Sequence, residues 1–314
     1  MLTHLDIPVT HSGDRLDRVV ADAVSGVPRR AIAHAFDTGA VTLVTGKGEA
    51  TRIGKGDRSR AGTRLHVERL YEAADFRVLP EREALDILYE DERLVAINKP
   101  GGQDCHPLRP GETGTLAGSL VARYPEMAAI GPDPMMASLL HRIDAVTSGL
   151  VLAARTPAAF ASVRAQFTAH AIEKRYVAWV EGTVAAPGGI ATYLVHAKSG
   201  MGKMRVLHSR NAAPHGERPL RAETFYAPQS QVRRPAPQCA TLLAITIHTG
   251  VTHQIRCHLA SIGHPIVGDT LYGAAPCPAL PPTRILLHSH AAAFTLDGHP
   301  YAFTAPLPND IIVN

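Results

Sequence analysis

Residues 141–155, HRIDAVTSGLVLAAR, set a short charged segment between two apolar runs, MMASLL before it and GLVLAA after it. Runs of that kind belong in a core, so Asp144 stands where the chain passes from one buried stretch to the next. A carboxylate there has two readings: one half of a structural ion pair at a turn, or a reactive group held beside a guanidinium. The segment that bears on the choice is TLLAITIHTGVTHQIRCHLASIGHPIVGD, residues 241–269. Leu243, Ile245 and Ile247 alternate as in a strand, Gly250 supplies a turn, and Thr252 is placed to cap a following helix. On that helix Ile255, Leu259 and Ile262 form an apolar stripe that Gly263 ends. His253 and Arg256 share the opposite face, near a helix start that favours anions.

The surrounding region reads as short strands with few long helices. LVAIN (94–98) runs into a Lys-Pro-Gly-Gly turn, a helix begins near Thr156 with Pro157 at its first position, and KRYVAWVEG (174–182) is strand-like. No βαβ rhythm repeats, which predicts a mixed α+β sheet rather than a doubly wound fold. By alternation alone Tyr176 is a core strand residue.

Nearer the N-terminus, residues 14–67 form a compact unit. DRLDRVVADAV and PRRAIAHAF carry apolar residues at helical spacing, Pro28 suits a helix start, and AVTLV and TRLHV read as strands. A Gly-rich basic stretch, residues 46–62, separates those strands; its lone Gly-x-Gly is weak grounds for a phosphate loop. Arg29, Arg30, Lys47, Arg52, Lys55, Arg58 and Arg60 form either one nucleic-acid face or a solvated basic surface. A polar connector, ERLYEAADFRVLPEREA, places the boundary within residues 68–86.

Composition narrows the function classes. With 314 residues, 45% of them hydrophobic, and a formal charge of +4, the chain can bury a sizeable core and leans mildly toward anionic partners. Between Lys198 and Arg234, eight basic residues (Lys198, Lys203, Arg205, Arg210, Arg218, Arg221, Arg233 and Arg234) face only Glu217 and Glu223, an excess suited to a phosphate backbone or to solvated loops. The cysteines, Cys105, Cys239, Cys257 and Cys277, form no CxxC pair, which argues for reduced thiols in a cytoplasm. His253, His258, His264, His288 and His290 invite a metal reading. However, His253 and His258 do not share a helical face, and no metal is expected. No signal segment or apolar run approaching ~20 residues is present, so neither secretion nor a membrane span is expected.

Together the two central segments resemble one family. HRIDAVTSGLVLAAR is similar to the HRLDxxTSGL motif of the RluA-type pseudouridine synthases, and GVTHQIRCHLASIGHPIVGDTLYG (250–273) to their GRTHQIRxHLAxxGHPIxGDxLYG segment. LYEDERLVAINKPGG, EKRYVAWVEG, KSGMGKMRV and LLHSHAAAFTLDGHPYAFTAPLP match further motifs in the family's order, over about residues 85–310. RLDRVVADAVSGVPRRAIAHAFDTGAVTLVTGKGE resembles the small αL-type RNA-binding module that often precedes such domains, without the Asn of its usual turn.

The resemblance implies a mainly antiparallel central sheet with flanking helices and loops forming an RNA cleft, preceded by a small α/β RNA-binding domain. The expected limits are 1–68 for the small domain, 69–84 for a linker and 85–314 for the catalytic domain. It implies isomerisation of a uridine in structured RNA, foremost large-subunit ribosomal RNA and next transfer RNA, by a cytoplasmic monomer without cofactor. Asp144 falls on the family's essential Asp, Arg256 on its ion-pair partner, and Tyr176 on the Tyr that stacks on the flipped base and assists proton removal. Arg142 is placed to fill the stack that a flipped base vacates. His141, Lys203, Arg205, His253, Arg29 and Arg30 are the further candidate RNA contacts. Asp269, in the GDTLYG turn, reads as structural. Val251 stands where the family commonly has Arg, Ala145 where a charge is frequent, and GGQDCHP differs from the usual AGLxVHP. The rival readings are a noncatalytic RNA-binding or ribosome-assembly protein and a glycoside hydrolase, which would need a second carboxylate.

Overall fold

The computed structural model describes residues 1–45, 49–197, 202–233 and 239–312. The chain divides into two compact units: Met1–Val78 with Leu108–Glu112, and Leu79–Pro107 with the chain from Thr113 onward.

The first unit contains β1 (Leu2–Pro8), α1 (Leu16–Ala23), α2 (Arg29–Thr38), β2 (Val41–Val44), β3 (Ala50–Arg52) and β4 (Arg64–Leu70). Its strands pair antiparallel in the order β1-β4-β2-β3. Leu16 and Val20 of α1 and Ala31, Ile32, Ala35 and Phe36 of α2 are buried, as are Val41, Leu65 and Val67 of the sheet. These are the apolar positions whose helical and alternating spacing predicts the elements. Two strands escape that reading. β1 is an edge strand in which Ile7 is the one buried apolar residue, and β3 is wholly exposed within the Gly-rich basic stretch.

The second unit holds β5 (Ile87–Glu90), β6 (Leu94–Lys99), α3 (Leu116–Arg123), β7 (Ser148–Ala154), α4 (Pro157–Thr168), β8 (Glu173–Glu181), β9 (Gly188–His196), β10 (Met204–Leu207), β11 (Leu220–Arg233), β12 (Cys239–Ile247), α5 (Gln254–Ser261), β13 (Leu287–Leu296) and β14 (His299–Thr304). Among the described residues one sheet runs β10-β9-β11-β12-β8-β13-β7-β6-β5, with β14 also on β13. Every pairing is antiparallel except β7 with β13. The expected α+β class, a mixed and mainly antiparallel sheet with flanking helices, is the observed one. No helix is long and apolar enough to cross a membrane among the described residues.

Burial explains the sequence pattern strand by strand. β7 is buried at every position, hence its continuous apolar run, whereas Leu243, Ile245 and Ile247 of β12 alternate inward at 0, 1 and 4% exposure. Thr156 caps α4, its hydroxyl accepting from the Ala159 amide at 3.2 Å, and Pro157 follows as expected. The parallel contact depends on Gly149, whose φ is +109° and whose Cβ position would lie 2.2 Å from the Ser289 carbonyl oxygen. No other residue fits between β7 and β13 there.

Two histidines lie in the interior of this unit. His258, fully buried, bonds Thr224 Oγ1 at 2.8 Å and Thr192 Oγ1 at 2.9 Å; His288, 1% exposed, bonds Ser148 Oγ at 2.9 Å. Burial pushes both pKa values from 6.5 down to about 4. Between those values the unfolded chain takes up protons that the folded chain refuses, so stability falls as the pH drops from about 6.5 toward about 4. These two protons contribute on the order of 3 kcal/mol per pH unit to the limiting slope, and His141, its pKa pushed down by burial to about 3, adds to it. Urea unfolding across that window is expected to show this loss, and His258→Gln to remove one proton from the slope; an unchanged slope would mean that His258 titrates normally in the fold.

Candidate active site

A cleft of about 410 Å³ opens in the second unit, lined by the segment before β7, by α4 and β8, and by the turn from β12 into α5. Asp144 is the one carboxylate among its lining residues, which also include Arg142, Arg164, Lys174, Tyr176, His253 and Arg256.

The segment carrying Asp144 has no regular structure, yet it is pinned along its length. The Leu140 carbonyl accepts from Arg164 Nη1 at 2.9 Å, and His141 Nε2 accepts from the Leu152 amide at 3.1 Å. Ile143 meets the Cys105 sulfur through both its amide (3.4 Å) and its carbonyl (3.3 Å). The Thr147 amide donates to the Asp144 carbonyl at 3.0 Å, closing a turn. The Ala145 carbonyl accepts from the Gly102 amide at 2.7 Å and from Lys99 Nζ at 3.1 Å. Lys99 is fully buried and also donates to Pro100 and Gln103 carbonyls; burial pushes its pKa down to about 8.

Arg256 approaches from α5. Its Nε and Nη2 donate to the two Asp269 oxygens at 2.7 and 2.9 Å, and Nη1 donates to Asp144 Oδ2 at 3.0 Å. Burial alone would lower the guanidinium pKa, but the two carboxylates hold it above arginine's ordinary value. Asp144 Oδ1 has no partner among the described residues, so one carboxylate oxygen is held and the other is free. Asp269 is 1% exposed, and the Asp144 side chain 24%.

The start of α5 departs from the sequence reading. Thr252 does not cap it: His253 is the N-cap residue, in the left-handed region at φ 54°, and the Thr252 hydroxyl accepts from Arg142 Nη2 at 3.4 Å. Histidine is one of the side chains enriched in that conformation. Gln254 holds the turn: its Oε1 accepts from the Val251 amide at 3.1 Å and from the Thr249 hydroxyl at 2.9 Å, and its Nε2 donates to the Glu223 carbonyl at 2.8 Å. Nor does α5 have a polar face opposite an apolar stripe. Gln254 through Leu259 are all buried, and Ile262 lies 38% exposed beyond the helix end. Polar residues enter this interior because each one finds a partner.

The other candidates fall in three groups. Tyr176 of β8, 7% exposed, lines the cleft, and burial pushes its pKa up to about 12, so the phenol stays protonated. His141 lines it too, its ring 5.1 Å from that of Phe167; burial pushes its pKa down to about 3, so it is neutral. Arg142 is exposed at the rim, its Nη1 donating to His106 Nε2 at 3.2 Å. Lys203 and Arg205 are not among the cleft residues: Lys203 Nζ lies 5.2 Å from the Tyr272 ring centre, and Arg205 pairs with Glu217 at 3.7 Å. Arg29 and Arg30 open α2 in the other unit, where the Arg30 guanidinium lies 4.2 Å over Phe76. Of the basic residues around them, Arg52 and Arg58 donate to the Asp37 and Gly13 carbonyls, and Lys55 lies 3.6 Å from the Asp37 carboxylate. Lys47, Lys198, Arg234 and the Arg233 side chain lie outside the described residues. No group of three or more His, Cys, Asp or Glu side chains converges as metal ligands would among the described residues.

Sequence reasoning missed Lys99, Cys105, Gln254 and Tyr272; it read Asp269 as structural without naming Arg256 as its partner. The available signals were a lysine closing the apolar strand LVAINK and an acid two residues after an apolar Ile-Val pair. Because removing one partner of a buried ion pair strands the other charge, Asp269→Ala is expected to cost about 3 kcal/mol or more in urea unfolding. Asp144→Ala, which leaves the buried pair intact, is expected to cost less than about 1 kcal/mol. Equal losses would place both carboxylates in one structural network.

Residues 93–261 match the family described as RNA pseudouridylate synthase. Ribosomal large subunit pseudouridine synthase D of Neisseria meningitidis is 30% identical over 98% of this chain and 79% of its own. That of Xanthomonas campestris is 32% identical over 97% and 89%. The solved human RNA Pseudouridylate Synthase Domain Containing 1 shares the fold, with a TM-score of 0.57 at 23% identity over 71% of this chain and 84% of that one. The lone cleft carboxylate with its guanidinium partner therefore sits inside the matched segment, and this chain belongs to the RNA pseudouridylate synthase family, isomerases that act on RNA.

Proposed function

We propose that this pseudouridine synthase modifies large-subunit ribosomal RNA in the cytoplasm, with Asp144 as its essential catalytic residue. The observation that carries the catalytic assignment is the single carboxylate among the described residues of the cleft, one oxygen held by Arg256 and the other without a partner among them. Isomerisation breaks the C1′–N1 bond and forms C1′–C5, with a proton lost from C5 and one gained at N1. The detached uracil remains in the pocket as its own nucleophile. One carboxylate is enough for that chemistry, whereas a glycosidase needs a second to activate water. Asp269 cannot serve as that second group while both of its oxygens are bound to Arg256.

The other residues divide the remaining work. Tyr176 stacks on the extruded base; its protonated phenol favours this over a general-base role. Extruding a uridine costs about a few kcal/mol, and Arg142, already held at the rim by His106 and Thr252, presents a planar cation to the vacated stack. Val251 in the cleft wall leaves that position uncharged. The bacterial relatives are known as ribosomal large subunit pseudouridine synthases, which supports ribosomal RNA over transfer RNA.

Pseudouridine mapping of ribosomal RNA from cells with and without the gene tests this reading. Loss of a large-subunit site, restored by the wild-type gene and not by Asp144→Asn, is the expected result. Restoration by Asp144→Asn would overturn the catalytic assignment, and loss of a transfer RNA site instead would overturn the substrate.

A further inference from the structure

Asp269 and Tyr272 belong to one short helical turn, Asp269 as the N-cap of Thr270–Tyr272, and both side chains support α5. Asp269 holds Arg256. Tyr272, 8% exposed, holds His253: its hydroxyl lies 3.0 Å from His253 Nδ1 and accepts from the Met204 amide at 2.8 Å. The other ring nitrogen, Nε2, lies 3.9 Å from Asp144 Oδ2, the oxygen that Arg256 also binds.

We infer that His253 is a positioning residue for Asp144, held by the Tyr272 hydroxyl as the tautomer whose Nε2–H faces the carboxylate. The inference rests on Asp144 being the reactive group. With the Met204 amide as donor to the Tyr272 oxygen, the phenolic proton is the one left to pair with His253, and Nδ1 is its acceptor among the described residues. A neutral imidazole that accepts at Nδ1 carries its proton on Nε2. Burial, the largest influence, keeps the His253 pKa below the ordinary histidine value, so the ring is neutral. The opposite tautomer would turn a lone pair on Asp144. At 3.9 Å the pair is longer than a hydrogen bond; contacts of this kind tighten when substrate fills a site. Two N–H donors then occupy Oδ2, and Oδ1 is the oxygen presented to the nucleotide. The left-handed backbone at His253 sets the ring in place between Tyr272 and Asp144.

The test combines nitrogen NMR and kinetics on the full chain. Two-bond proton–nitrogen spectra of histidine-labelled protein, with the His253 signals identified by their loss in His253→Gln, are expected to place the proton on Nε2 in wild type and to lose that preference in Tyr272→Phe. Single-turnover pseudouridine formation on total RNA from cells lacking the gene is expected to slow about tenfold in Tyr272→Phe and in His253→Ala, the scale of one hydrogen bond. His253→Gln, which keeps an N–H donor, recovers most of the rate, and RNA retention on filters is unchanged in Tyr272→Phe. A wild-type proton on Nδ1, or wild-type turnover in Tyr272→Phe, would overturn the inference. Turnover by Asp144→Asn would instead overturn the assignment of Asp144, which the NMR result does not touch.

Discussion

The Arg256 guanidinium, bound along one edge by both oxygens of Asp269 and donating from its remaining nitrogen to Asp144, joins α5 and the turn that follows it to the distant segment before β7. Burying these charges costs several kcal/mol in desolvation, which bidentate geometry offsets only in part, so the triad is a poor device for stability. Its value is direction. A flexible carboxylate beside a cleft would sample many orientations, whereas one tied through a buried and doubly anchored cation samples few.

The backbone beneath Asp144 follows the same logic. Residues 140–147 lack secondary structure, so their amides and carbonyls need partners from elsewhere. Arg164, Leu152, Cys105, Gly102 and Lys99 supply them from α4, β7, the end of β6 and the loop after it. Lys99 is the clearest case: one buried ammonium satisfies three carbonyls, the number of its protons. The close parallel approach of β7 to β13, open only to glycine at position 149, sets where this anchored segment emerges from the sheet.

Strands with a buried face were legible in the sequence, because β7, β8 and β12 show continuous or alternating apolar residues. Edge strands such as β1 and β3 were not, since little of either is buried. At the site, Asp144, Arg256 and Tyr176 were legible through motif resemblance, and the structure brings them to one cleft. Their supports were not. Lys99, Cys105, Gln254 and Tyr272 each make at least one bond to a residue far away in the chain, which no local periodicity encodes. The start of α5 misled for a different reason: a Thr before an apolar pattern is a sound cap signal, but the local bond from Gln254 to the Val251 amide and the long-range bond from Arg142 decide the turn.

A double-mutant cycle on turnover tests the central role of the Asp269–Arg256–Asp144 chain most directly. Single-turnover pseudouridine formation would be measured for Asp269→Asn, Arg256→Gln and the pair, on total RNA from cells lacking the gene. If Asp269 acts through Arg256, the double variant is no slower than Arg256→Gln alone. Losses that multiply would mean that the two residues act independently and would contradict the account.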